Sequence, residues 1–222
     1  MIGLLLFCSA MDILANCRAM LPVEPVTMTG EIVLRNRKGI PSGEYDYTLH
    51  ADRMVTPAKL SLEFREHDTT NVLEKMEILR PGPVPEGRVL KTDVTWLDLS
   101  LDFLWWPKAE FETEREGETV HGQKCDVILI SNDARQVRAW CDRKTGCLMQ
   151  AEELKDGKPC RRLWGTRIKK FDGRWFPNVL EVETLGSGHR TKIIVDDLKV
   201  EAKDRCRLPV SLDETQPFKA EK

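Results

Sequence analysis

Long apolar runs are scarce in this 222-residue chain. The opening stretch MIGLLLFCSA is greasy but covers ten residues, too few to cross a hydrocarbon layer of roughly 30 Å. An excess of one charge is missing as well. The 34 basic and 36 acidic residues leave a formal net charge of -2 and are well interspersed, which argues against a nucleic-acid groove or a strongly charged membrane patch. Histidine is sparse and scattered (His50, His67, His121, His189), and no C-x-x-C occurs, so no metal site is expected. Neither G-x-S-x-G, H-E-x-x-H, G-x-x-x-x-G-K-[ST] nor a paired-glycine nucleotide loop is present. Catalysis and a bound cofactor are therefore not expected. Ser187 and His189 fall in what reads as a hairpin turn, and Asp98 with Asp102, though one helical turn apart, are explained by capping and by solvation.

What is present begins at the N-terminus. Cys8-Ser9-Ala10 resembles the small-residue end of a secretory signal, without a basic start, so residues 1–10 read as a leader remnant and 11–222 as one domain. The alternative is a helix that already begins inside the fold. Lipidation at Cys8 is disfavoured by the bulky Phe7 before it. Seven cysteines (Cys8, Cys17, Cys125, Cys141, Cys147, Cys160, Cys206) become six if Cys8 leaves with a leader, and six allow fifteen pairings that sequence does not choose among. Cys141 and Cys147 flank a turn and are geometrically able to face each other across a hairpin. Buried free thiols are the other reading.

Residues 12–21, DILANCRAML, put Ile13, Leu14, Cys17 and Leu21 on one helical face before Pro22. From Val26 the period changes to two. Tyr45, Tyr47 and Leu49 alternate with Asp46 and Thr48, and Leu60, Leu62 and Phe64 repeat the pattern. Beyond residue 120, six further strand-like runs are separated by short turns such as DRKTG, KDGKP and GSGH, connections that join neighbouring antiparallel strands. About ten strands in one sheet favour strong curvature or an incompletely closed barrel. Trp140 and Trp164 lie in strands and are expected to pack there.

The exception is TDVTWLDLSLDFLWWP, residues 92–107, with three of the six tryptophans. Thr95 and Asp98 fit a capping box and Pro107 marks an end, so a helix is predicted over roughly 96–106. Wound as a helix it is apolar almost all round. It is either a fully buried plug, or a lid over an apolar cavity that a ligand completes. A third possibility is an envelope interaction module that docks a protein partner through the tryptophan-rich segment, without lipid cargo.

TDVTWLDLSL also resembles the S-D-F-T-Y-E-D-L signature of LolA-like outer-membrane lipoprotein-sorting proteins. GQKCDVI, Asp142 with Thr145 and Gly146, the turn Asp156 to Lys158, Gly173 with Trp175, Phe176 and Pro177, and TKIIVDDLKV are similar to that family too. The resemblance implies a mainly β fold, a half-open antiparallel barrel with helices over its concave face. It further implies a periplasmic location and non-covalent carriage of lipoprotein or other lipid acyl chains by a monomer. Inner-membrane donor and outer-membrane acceptor proteins are the implied partners. On this reading Trp96, Leu97, Leu101, Phe103, Leu104, Trp105 and Trp106 are expected as lid or cavity residues, and Tyr45, Tyr47, Leu60, Leu62 and Phe64 as candidate wall positions, with ordinary core packing the competing expectation for the wall.

Overall fold

A computed structural model describes residues 9–171 and 174–201. Residues 1–8 of the expected 1–10 leader remnant, including Cys8, lie outside the described residues, as does Cys206; nothing is described of the Trp175 side chain.

One antiparallel sheet dominates. Its strands are β1 (Val26–Arg35), β2 (Pro41–Asp52), β3 (Ala58–Glu66), β4 (Val72–Arg80), β5 (Lys108–Phe111), β6 (Thr119–Val120), β7 (Gln123–Ser131), β8 (Gln136–Asp142), β9 (Leu148–Lys155), β10 (Lys158–Phe171), β11 (Arg174–Thr184) and β12 (Arg190–Val200). The spatial order is β4-β3-β2-β1-β12-β11-β10-β9-β8-β7-β5, with β6 on β7 alone. The first and last strands, β1 and β12, are joined at the centre, while β4 and β5 are the two free edges. The sheet therefore curves without closing. The ten expected strands are all present, and two short ones, β5 and β6, are added; at four and two residues they are too short to show alternation.

Curvature has a local cause where β1 meets β12. The β1–β12 register shifts between Thr29 and Gly30, and a Cβ at Gly30 would lie 1.9 Å from the Ile194 carbonyl oxygen. Only glycine permits that approach; the extra residue, Asp196, lies on β12, and such a bulge bends and further twists the strand that carries it.

Helix α1 (Ala10–Ala19) starts two residues before the expected position. Ser9 caps it: its hydroxyl accepts from the Asp12 backbone N–H at 3.2 Å, and the Asp12 carboxylate accepts from the Ser9 N–H at 2.8 Å. Ala10, Leu14 and Cys17 face inward, at the spacing one helical stripe requires.

The predicted helix over 96–106 is shorter and broken. Helix α2 covers Trp96–Ser100, with Thr95 and Asp98 forming the expected capping box. Leu101 then adopts φ 51°, ψ 32°, in the left-handed region, before a 3₁₀ turn at Asp102–Trp105. The Leu101 N–H still closes the helix on the Leu97 carbonyl at 2.9 Å, and the Ser100 hydroxyl accepts from the Asp102 N–H at 3.2 Å. A left-handed leucine costs about 1–2 kcal/mol, less than the roughly 1.5–3 kcal/mol gained by burying one large apolar side chain. The break lets a segment that is apolar all round bury both faces. Leu97, Phe103, Leu104 and Trp106 enter a core shared with α1, β7 and β8, whereas Trp96 enters a second core shared with β1 to β4; Leu101 touches both.

Candidate functional site

The concave face is not completely filled. Between the end of α1, helix α2 and the sheet lies a cavity of about 230 Å³. Its position follows from strand register. Val26 pairs with Ala51, Ala51 with Leu60, Leu60 with Ile78, and Ala58 with Arg80, so one end of β1 to β4 forms one wall. Leu148, Leu163, Leu180 and Ile193 come from the opposite half of the sheet, Met20 and Leu21 close it from α1, and Leu99, Leu101 and Leu104 roof it. Most of this lining is aliphatic, a surface suited to hydrocarbon.

Among the sequence-predicted site residues, Leu101, Leu104, Tyr47 and Leu60 line the cavity. The others lie elsewhere. Trp96 packs edge-on against Phe64, ring centroids 5.9 Å apart at 65°, and shares with Tyr45 and Leu62 the core over β1 to β4. Leu97, Phe103 and Trp106 belong to the core beneath α1. Trp105 is packed against that core and lies under two guanidinium groups, with Arg80 3.6 Å and Arg53 5.3 Å from its ring centroid. The three tryptophans thus fasten the segment, and Leu99, Leu101 and Leu104 between them face the empty space.

The T-D-V-T stretch is a clamp of the same kind. Thr92 is buried; its hydroxyl donates to the Val89 carbonyl at 2.8 Å and accepts from the Val94 N–H at 3.1 Å. The Asp93 N–H donates to the Thr191 hydroxyl at 3.2 Å, and its carboxylate accepts from the Thr184 hydroxyl at 2.8 Å, which ties the loop to β11 and β12. Asp98 completes the cap and pairs with Arg161 on β10; burial raises its pKa, opposed by the Arg161 charge.

Polar groups meet the cavity at few points. The Tyr47 hydroxyl donates to the Ile194 carbonyl at 3.3 Å, and burial pushes its pKa up, so it stays a neutral donor. Arg53 donates to the Pro22 carbonyl at 3.0 Å. Burial, and then the neighbouring Arg80 charge, push it down to about 10. Burial also lowers Arg80, and Asp102 opposes that shift through an ion pair at 3.0 Å. Neither arginine was singled out from sequence; each follows or ends a strand whose inner face is apolar, and that placement was the available signal.

The Cys141–Cys147 pairing that the hairpin allowed is not made, and both are free thiols. Cys147 is half-exposed, and the Asp142 N–H binds its carbonyl at 2.9 Å; Cys141 instead points to Cys17, Sγ to Sγ 2.8 Å. Its backbone partner across the hairpin is Leu148, so the Cys141 side chain lies on the concave side under α1. Trp140 is buried as expected, its indole N–H donating to Glu118 at 2.9 Å.

A family model described as an uncharacterized protein matches residues 80–206, from the end of β4 through the lid segment and β12. The chain belongs to that family. No curated protein matches its sequence. Among solved structures, the fold is similar to a DUF1329 family protein from Desulfovibrio piger, with TM-score 0.69 and 13% identity over 87% of this chain and 92% of that one. It is equally similar to a putative outer membrane lipoprotein-sorting protein domain from Vibrio parahaemolyticus, with TM-score 0.69 and 14% identity over 87% and 93%. A LolA superfamily protein from Nitrosomonas europaea gives TM-score 0.64 and 13% identity over 87% and 94%. The fold is therefore LolA-like, as the motifs in residues 92–107 suggested, with one large antiparallel sheet that is not closed into a barrel. No helix among the described residues is long and apolar enough to cross a membrane.

Proposed function

We propose that this protein is a non-enzymatic carrier or binder of acyl chains in the bacterial cell envelope, working in the periplasm on lipoproteins or other lipids. One observation carries the reading: an unfilled, aliphatic cavity of about 230 Å³ between the concave face and the lid segment. Protein interiors are normally packed to crystal density, so a vacant apolar space of this size is a standing invitation to an apolar ligand. Transfer of a sixteen-carbon chain through water is opposed by roughly 12 kcal/mol, at about 0.8 kcal/mol per methylene. A cavity that hides only part of the chain still removes much of that barrier. Arg53 and Arg80 at one end of the cavity suit the ester carbonyls or anionic head at the polar end of such a molecule. The LolA-like fold of structural relatives supports the same reading.

The test is extraction of protein purified from a bacterial envelope with organic solvent, followed by mass spectrometry of the extract. About one acyl lipid per chain is the expected result; protein that stays free of lipid, and remains so after incubation with phospholipid vesicles, contradicts it.

A further inference from the structure

Cys17 and Cys141 are separated by 124 positions in sequence, yet their sulfurs lie 2.8 Å apart. That is closer than the other described thiols come to their carbonyl partners, 3.5 Å for Cys125 and 3.3 Å for Cys160. A disulfide bond measures about 2.05 Å, so an approach of roughly 0.75 Å joins them. The approach is held from both sides. Cys17 sits on α1 with its sulfur 2.9 Å from the Gly146 carbonyl oxygen, and a Cβ at Gly146 would meet the Asn16 side chain at 3.5 Å. Cys141 sits on β8 beneath it, and both thiols belong to one apolar core with Leu14 and Ala139.

We propose that Cys17 and Cys141 form a disulfide that tethers α1 to β8 when a disulfide oxidant of the glutathione class is present. The two thiols lose two protons and two electrons as their S–S bond forms; the oxidant's S–S bond breaks and takes them up as two thiols. The route of access is the cavity, which Cys17 and the half-exposed Cys147 both line. The hydrogen bond with the Cys17 thiol, and then burial, raise the pKa of Cys141, so the folded, reduced pair reacts slowly and refolding is the faster occasion for closure. Met20 and Leu21, just beyond Cys17, are cavity wall; the bond fixes that wall in place. The proposal stands apart from what the cavity holds.

The test treats reduced protein with oxidised glutathione, both folded and during refolding from denaturant, then alkylates free thiols and maps the peptides. The expected product is one dithiothreitol-sensitive peptide pair linking Cys17 to Cys141, two hydrogens lighter, with Cys125 and Cys160 alkylated. Its Tm is raised by on the order of 10 °C, given a closed loop of this length and a chain of this size. Cys147→Ser keeps the link, and Cys17→Ser or Cys141→Ser loses both the link and the Tm shift. Full alkylation of Cys17 and Cys141 after both treatments, or a link from either to a different cysteine, overturns the proposal on the parent protein alone, whether or not the serine variants fold.

Discussion

The Arg80 guanidinium stacks 3.6 Å from the centroid of the Trp105 ring while its Nε donates to Asp102 at 3.0 Å and an Nη donates to the Ser100 carbonyl at 3.1 Å. Asp102 in turn accepts from the Trp106 indole N–H at 3.3 Å. A single arginine at the end of edge strand β4 thus holds the middle of the lid segment by a ring, a carboxylate and a carbonyl. The segment's tryptophans are its fastenings, while Leu99, Leu101 and Leu104 face the cavity.

Removing that arginine should loosen the lid. Arg80→Ala is expected to lower stability by about 2–3 kcal/mol, from the loss of a largely buried cation–π contact and a paired carboxylate. Arg80→Lys should recover less than half, because an ammonium lacks the planar fork that makes these contacts together. Urea unfolding of the three proteins measures both. Equal midpoints for parent and Arg80→Ala would remove Arg80 from this role.

At Gly30 the constraint is steric. A Cβ there would sit 1.9 Å from the Ile194 carbonyl oxygen in the paired strand, so Gly30→Ala must separate β1 from β12 at the centre of the sheet. The expected loss is about 3 kcal/mol, at the upper end of overpacking effects, read as a lower urea midpoint. Gly39, in a turn with open space around it, makes no such close contact, and Gly39→Ala should cost only the roughly 1 kcal/mol of its positive φ.

His67 supplies a pH dependence. Its hydrogen bond to Asp46 at 2.8 Å, with the Asp68 and Glu31 charges nearby, raises its pKa above the ordinary 6.5. A raised histidine pKa means that the folded state holds the proton more tightly. The stabilising contribution is therefore complete below pH 6.5 and fades as pH climbs through the folded-state value. The Tm of the parent should fall relative to that of His67→Gln across that window, and an NMR titration of the His67 ring should give a midpoint above 6.5. A midpoint at or below 6.5 contradicts the assignment.

Much of the fold was legible because alternation is a strong signal when strands are long. Tyr45, Tyr47 and Leu49, and Leu60, Leu62 and Phe64, do share the inner face. Periodicity assigns a face but not which residues on it are covered, so it could not separate Tyr47 and Leu60, which line the cavity, from Phe64, which packs on Trp96. The break at Leu101 was also hidden, since leucine carries none of the glycine or asparagine signal of a left-handed residue. Thr95 and Asp98 did reveal the start of α2. The proximity of Cys17 and Cys141 depends on where α1 docks, and spacing in sequence holds no trace of it.

The most direct measurement is the affinity of a fluorescent acyl probe for the parent and for Ala51→Trp, a residue on the cavity wall between Val26 and Leu60. An indole there fills the space that an acyl chain would occupy and leaves the fastenings of the lid untouched. At least a tenfold weaker binding, with Tm within a few degrees of the parent, is the predicted result. Undiminished binding by a folded Ala51→Trp protein would contradict the claim that this cavity receives the chain.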